Sequence, residues 1–361
     1  MKQIRLARSP GERRVALLSD GELIAYRLER PARPDGVGDI LRGRIAAAMP
    51  ALAGAFVALP PPWAPGESGF LPESECEGRK LPPEGTILTL RVTRAGQGGK
   101  GPRLSARTPQ SPGEMGLLAR GPDAALRWAA THPEARIVTD DPAEAARLRA
   151  ALGAGRVLLQ PEAFDEALEE EVARLAEPEW ALPGGGRLII SPLPALTAVD
   201  VDSGGADPRE VNRLAIPEFA RQLRLRDLAG PILLDLAGLS VKQRAALEPE
   251  LRSACGPDGL TQVLGLGPLG LFEFRRARIH PPLHEVLADR ALAQGLALLR
   301  QAARESAANP GQRLALEAPP ALLAALESLP GALAEFTERA GHALTLRPAP
   351  SPGIAPWNAD A

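Results

Sequence analysis

Aromatic residues make up only 3% of this 361-residue chain, so its cores must be filled mainly by Leu, Ala and Val. Cysteine is nearly absent. The two present, Cys76 and Cys255, have no CxxC spacing, which excludes a disulfide framework and a cysteine-built zinc site and points to a reducing compartment. Lysine occurs only at 2, 80, 100 and 242, and the formal net charge is -2. No global basic field advertises a polyanion, so any nucleic-acid surface must be a local arginine patch. No apolar run approaches the ~18 residues of a membrane span, and the start MKQIRLARSPGERR lacks a signal core. The expectation is a cytoplasmic protein with no membrane partner. Its length suffices for two or three compact units.

The chemistry concentrates between Ala195 and Asp235, in ALTAVDVDSGG, a connector, RQLRLRDLAG and PILLDLAG. Alternation over Thr197–Asp202 puts Asp200 and Asp202 on one strand face and Val199 and Val201 on the other. Asp235 closes the apolar run Ile232–Leu234. A carboxylate in such a run is costly unless paired, protonated or bound to a cation. Two readings stand: strand-end Asp residues that cap loops, or carboxylates gathered around a divalent metal, for which hard oxygen ligands favour magnesium or manganese.

Together, ALTAVDVDSG, ARQLRLRDLAGPILLDL and GLFEFRRAR resemble the catalytic core of the ribonuclease E/G family. The resemblance implies that Asp200 and Asp235 hold a magnesium ion, with Asp202 at the position of a supporting Asn and Asn212 facing the site. It covers nearly all of the chain, most closely 182–278. A family Asp that follows the second metal ligand is matched by Gly238, and the loop after VDVDSGG is short. Pro217 interrupts the connecting helix, which should kink or restart there. Arg221, Arg224 and Asp227 fall on one helical stripe, either an RNA-facing surface or a solvated face with internal ion pairs. Arg275, Arg276 and Arg278 form a second basic cluster with the same two readings.

Earlier segments fit an α/β mosaic. Strands flanking SDGE make a hairpin over 3–30 that needs later partners. The resemblance implies an RNase H-like subdomain from 1–35 and 134–178. Short strands over 36–108 predict a small antiparallel barrel, like an S1 (OB-type) domain, in which Phe56, Phe70 and Lys100 match RNA-contacting positions. Trp63, in PPPWAPG, is a further stacking candidate or a loop anchor. Residues 109–133 occupy the place of a longer 5′-end sensor. Arg120 stands at the sensor Arg and Gly121 replaces its Thr, so a short surface connector is the favoured expectation. A DNase I-like catalytic domain over 179–280 and a small domain over 288–349 follow, then a mobile tail at 350–361. The CPxC zinc-link that joins family protomers is missing, which implies no zinc and no zinc-linked tetramer, with other oligomers left open.

The expected function is a Mg²⁺-dependent endoribonuclease, with Mn²⁺ an alternative, that cleaves single-stranded RNA in processing or decay. The expected site is Asp200, Asp235 and Asp202 for catalysis, with Phe56, Phe70, Lys100, Arg120, Asn212, Arg221 and Arg224 contacting RNA. The alternatives are an RNA-binding relative that has lost cleavage and an assembly factor for ribosomal RNA.

Overall fold

The computed structural model describes residues 1–63 and 67–357. The chain divides into two compact units, one of Met1–Pro34, Ala124–Arg275 and Pro282–Ala361, the other of Asp35–Asp123 and Arg276–Pro281. The first opens with β1 (Lys2–Ser9), β2 (Glu12–Ser19) and β3 (Glu22–Glu29), an antiparallel meander. Asp20 and Gly21 both have positive φ and join β2 to β3. That is the two-residue hairpin turn whose twist matches the strands, and an Asp-Gly pair adopts it readily.

The second unit holds β4 (Ile40–Met49), β5 (Gly54–Ala58), β6 (Ser68–Pro72), β7 (Ile87–Arg94), β8 (Arg103–Ser105) and β9 (Gly116–Ala119). The strands run in the order β5-β6-β8-β7-β4, and β4 pairs again with β5, so five strands close a barrel while β9 adds to β4. Alternation fills its interior with Leu41, Ile45, Ala55, Val57, Leu71, Leu90, Val92 and Leu104, all buried. Closure leaves few strand edges exposed, an economical solution for a sheet this small.

In the first unit the chain continues through α1 (Ala124–Thr131), β10 (Arg136–Thr139), α2 (Pro142–Leu152), β11 (Val157–Leu159) and α3 (Glu166–Arg174). Asp141 and Asp165 cap α2 and α3 by accepting from the backbone N–H groups of Glu144 and Leu168. β10 lies parallel to β1 and β11 parallel to β10, giving the sheet β11-β10-β1-β2-β3.

A second sheet is ordered β12-β13-β14-β15-β17-β16, from β12 (Glu179–Ala181), β13 (Arg187–Pro192), β14 (Thr197–Asp202), β15 (Gly230–Asp235), β16 (Thr261–Leu266) and β17 (Phe272–Arg276). Its helices are α4 (Pro208–Leu225), α5 (Val241–Ala246) and α6 (Glu248–Cys255). The expected restart of α4 at Pro217 does not occur: one helix passes through the proline. Burial explains the tolerance, because Ile216, Phe219, Ala220 and Leu223 anchor α4 on both sides of it. Each large apolar side chain so buried contributes about 1.5–3 kcal/mol, against a proline cost of about 3 kcal/mol.

The remainder comprises α7 (Leu283–Val286), α8 (Arg290–Ala308), β18 (Leu314–Ala318), α9 (Pro320–Glu327), α10 (Ala332–Ala340), β19 (Thr345–Pro348) and β20 (Gly353–Pro356). The mobile tail expected from 350 onward is corrected over 353–356. These residues form β20, antiparallel to β18, with Ile354 packed on the local core and Trp357 stacked against the Arg347 guanidinium at 4.1 Å. The rest of that expectation, 358–361, lies outside the described residues, as do 64–66 of the PPPWAPG loop. Trp63 itself packs against the barrel core, the anchor reading of that residue.

Candidate active site

β14 and β15 are parallel, and their register sets Asp200 beside Asp235. Paired residues of neighbouring strands project to the same face, so the two carboxylates lie side by side at the strand ends. Thr197, Val199 and Val201 are buried on the opposite face, which fixes the orientation of Asp200. Asp200 is exposed, yet partial desolvation raises its carboxyl above the usual range, and the charges of Asp235 and Asp202 push it further. Mutual repulsion of this kind is what a cation relieves.

Asp235 has a partner that the sequence reading missed. Its Oδ1 accepts from Arg244 Nη1 at 2.5 Å, and the same nitrogen donates to the Gly270 carbonyl at 2.8 Å. Arg244 Nε donates to the Leu239 carbonyl at 3.1 Å. The arginine is therefore held by backbone on two sides and presents one N–H to Asp235. The signal was available in principle: Arg244 sits nine residues beyond Asp235, on the first helix after it. Only the fold shows that this helix turns it back.

Asp202 does not complete a trio. Its Oδ1 caps the following turn by accepting from Gly204 N at 2.9 Å, and its Oδ2 pairs with Arg187 at 2.8 Å. The Gly204 bond is the main reason its carboxyl lies below the usual range, with Arg187 adding to it. Arg187 is opposite Asp202 in the β13–β14 register, a cross-strand pair invisible without the pairing. Among the described residues, no three His, Cys, Asp or Glu side chains are grouped to hold a metal ion.

Asn212 is corrected from an RNA contact to a buried brace. It is 0% exposed, and its amide closes a two-bond ring with Ala237, donating to the carbonyl at 2.8 Å and accepting from N–H at 3.0 Å. It thereby fixes the chain just beyond Asp235. At Gly238, φ is +55° and an added Cβ would lie 2.9 Å from Pro208. An aspartate there would meet both backbone strain and a clash.

Arg221 is likewise corrected. Arg221 is buried and donates to Glu218, to Glu171 at 2.6 Å and to the Leu23 carbonyl at 3.0 Å, with its guanidinium 5.3 Å from the Trp180 ring. Arg224 is half-buried, and its Nε donates to the Ile24 carbonyl at 3.4 Å. The helix stripe that looked like a charged outer face packs on β3.

In the barrel unit, Phe56 and Phe70 are register partners on β5 and β6 and half-exposed, with ring centroids 5.8 Å apart in an edge-to-face arrangement. They stand on the outer wall, because the residues alternating with them fill the interior. Lys100 is exposed in the turn before β8. Arg120 is half-exposed and donates to Asp39 Oδ2 at 2.7 Å, while Gly121 N donates to the other oxygen at 2.7 Å. A Cβ at Gly121 would lie 2.2 Å from the Val37 carbonyl, so the sensor threonine has no room.

Residues 133–279 match the family model described as "Ribonuclease E/G family". The chain is similar to the ribonuclease E/G family through this segment, about two fifths of its length. It is 37% identical over 128 residues to ribonuclease E of Escherichia coli (strain K12), a match covering 33% of this chain and 12% of that protein. With ribonuclease G of Salmonella typhimurium (strain SL1344) it shares 33% identity over 132 residues, 34% of this chain and 27% of that one. A putative ribonuclease E of Buchnera aphidicola subsp. Baizongia pistaciae is 35% identical over 129 residues, 33% and 32% of the respective chains. The matches span between about a tenth and a third of these relatives' lengths. The matched segment contains the Asp200–Asp235 pair. No helix among the described residues is long and apolar enough to cross a membrane.

Proposed function

We propose that the chain is a metal-dependent endoribonuclease that cleaves single-stranded RNA, with Asp200 and Asp235 as its catalytic carboxylates. The observation that carries this reading is their juxtaposition on adjacent parallel strands within the segment shared with ribonucleases E and G. In this reading the sheet around β14 is the DNase I-like catalytic domain, the β1–β3 sheet is RNase H-like, and the barrel is an S1 domain.

Magnesium commonly uses one or two protein carboxylates, several waters and substrate phosphate oxygens. Asp200 and the second oxygen of Asp235 fit that requirement without a third carboxylate. When bound there, the ion would supply charge neutralisation and a more acidic water. The chain's own contribution is positional. Arg244 restrains one oxygen of Asp235, and Asn212 fixes the backbone just beyond it. Hydrolysis adds water oxygen to phosphorus and breaks the bond to the 3′ oxygen. That oxygen takes the electron pair and a proton, and the phosphate stays on the 5′ end of the downstream product. Phe56 and Phe70 would stack bases, and Lys100 would meet the backbone.

The test is cleavage of a short AU-rich single-stranded RNA with Mg²⁺ or Mn²⁺, using Asp200→Asn as control. Metal-dependent cleavage lost in the variant is expected. Tight RNA binding without cleavage by the unaltered chain would overturn the enzymatic reading.

A further inference from the structure

The barrel carries a feature beyond the aromatic pair. In the sheet register, Phe56 of β5 lies opposite Phe70 of β6, Phe70 opposite Arg103 of β8, and Arg103 opposite Arg94 of β7. Leu104, next to Arg103, points inward and is fully buried, so Arg103 projects from the same outer wall as the rings. Neighbouring strands are about 4.8 Å apart. Two aromatics and Arg103 therefore follow one another around the wall over ~10 Å, and Arg94, set just past a bulge after Val92, lies close enough for its charge to meet that of Arg103.

The arginines are also short of negative charge. Arg94 Nε is buried without a hydrogen-bond partner, and among the described residues neither Arg94 nor Arg103 has an acidic partner. Burial and then the charges of Arg103 and Arg278 hold the Arg94 guanidinium below its usual pKa. Arg120 of this unit, by contrast, is paired with Asp39. A like-charged pair with a desolvated donor is disfavoured until an anion arrives, and guanidinium forks match phosphate oxygens.

We propose that Arg103 and Arg94 form a backbone-phosphate subsite for single-stranded RNA, continuing the base-stacking surface of Phe56 and Phe70. This deepens the proposed RNA-cleaving function and rests on it. RNA would cross the strands rather than follow one, its bases on the rings and its phosphodiester on the arginine pair. Lys100, in the turn preceding β8, would add charge beside the row.

Salt dependence separates the two kinds of contact. Each phosphate contact to a single strand contributes about 0.7 to the slope of log affinity against log salt. Stacking affects affinity but releases few counterions. The measurement is fluorescence anisotropy of a labelled single-stranded RNA decamer with the full chain in EDTA, which leaves cleavage aside. Arg103→Gln and Arg94→Gln should each flatten the slope by about 0.7, and Arg103→Lys should restore most of it. Phe70→Ala should weaken binding about five- to a hundredfold with the slope unchanged. Lys80→Ala removes a charge outside the row and should leave both quantities alone. A 5′-hydroxyl and a 5′-phosphate decamer should give the same slopes, which distinguishes backbone from terminal phosphate. Thermal melting of each variant identifies any that fail to fold, for which the Lys substitution is the substitute. An unaltered chain that cleaves RNA, with full slopes retained in both Gln variants, would overturn the subsite alone. A chain that neither binds nor cleaves would overturn the subsite and the proposed function together.

Discussion

Replacing Asn212 should damage the fold rather than RNA binding. In Asn212→Ala, two buried hydrogen bonds to Ala237 are lost, at 2.8 and 3.0 Å. Each is worth about 1 kcal/mol net, and a backbone group left buried without a partner costs about 1–3 kcal/mol. The expected loss is about 2–4 kcal/mol. With a urea slope near 3 kcal/mol per molar, the unfolding midpoint falls by about 1 M. Asn212→Asp keeps the acceptor but sets a carboxylate oxygen against the Ala237 carbonyl, and should cost at least as much. The assay is urea unfolding followed by circular dichroism, paired with RNA anisotropy at urea-free conditions where both variants are folded. RNA affinity should stay within about twofold. An unchanged midpoint together with a tenfold or greater loss of affinity would refute the brace and return Asn212 to the RNA surface.

Four further outcomes follow from the same geometry. Arg244→Ala should lower cleavage about a hundredfold, the scale of misplacing a reacting group by about 1 Å, while RNA affinity without metal is unchanged; an equal loss in both would make Arg244 an RNA contact. Cleavage of matched 5′-hydroxyl, 5′-monophosphate and 5′-triphosphate RNAs should proceed at similar rates, because Arg120 is spent on Asp39; a strong monophosphate preference abolished by Arg120→Ala would contradict this. Burial works to raise the Glu169 carboxyl, but its bonds to Arg14 outweigh this and leave it below its usual range. The stability gained is thus present above the ordinary Glu pKa of about 4.3 and lost as pH falls through the lower folded value. Glu169→Gln should cost about 3 kcal/mol at pH 7, and acid titration of both proteins should show the difference shrinking below about pH 4.3. Burial pushes the Cys255 thiol up to about 11, leaving about 0.1% thiolate at pH 8, so a disulfide reagent should label it only on unfolding; rapid native labelling would refute its placement.

The strand ends were legible in the sequence because local alternation decides which way Asp200 points, and the apolar run before Asp235 marks a buried strand. The barrel was legible for the same reason: inward Leu and Val alternate with outward Phe. What failed were side chains whose meaning depends on distant partners. Arg221 reads as surface from its helix stripe, yet the stripe meets Glu171 and β3. Arg120 reads as a lone cation until the buried Asp39 is placed beside it. Asp202 shares a face with Asp200, yet its oxygens go to Gly204 and Arg187. A cross-strand neighbour such as Arg187, or a helix returning Arg244 to a strand end, is set by tertiary register, which one sequence does not display.

The hairpin of β1 and β2 has a consequence for synthesis. Arg8 N bonds to Asp140 across 132 positions, and Gly11 N bonds to Glu335 across 324. A ribosome adds ~5–20 residues per second, so the first partner emerges roughly 7–26 s after the hairpin and the second roughly 16–65 s after it. For that interval β1 presents an open edge. Charge on such an edge delays mispairing, and Arg5, Arg8, Arg13 and Arg14 supply it along both strands.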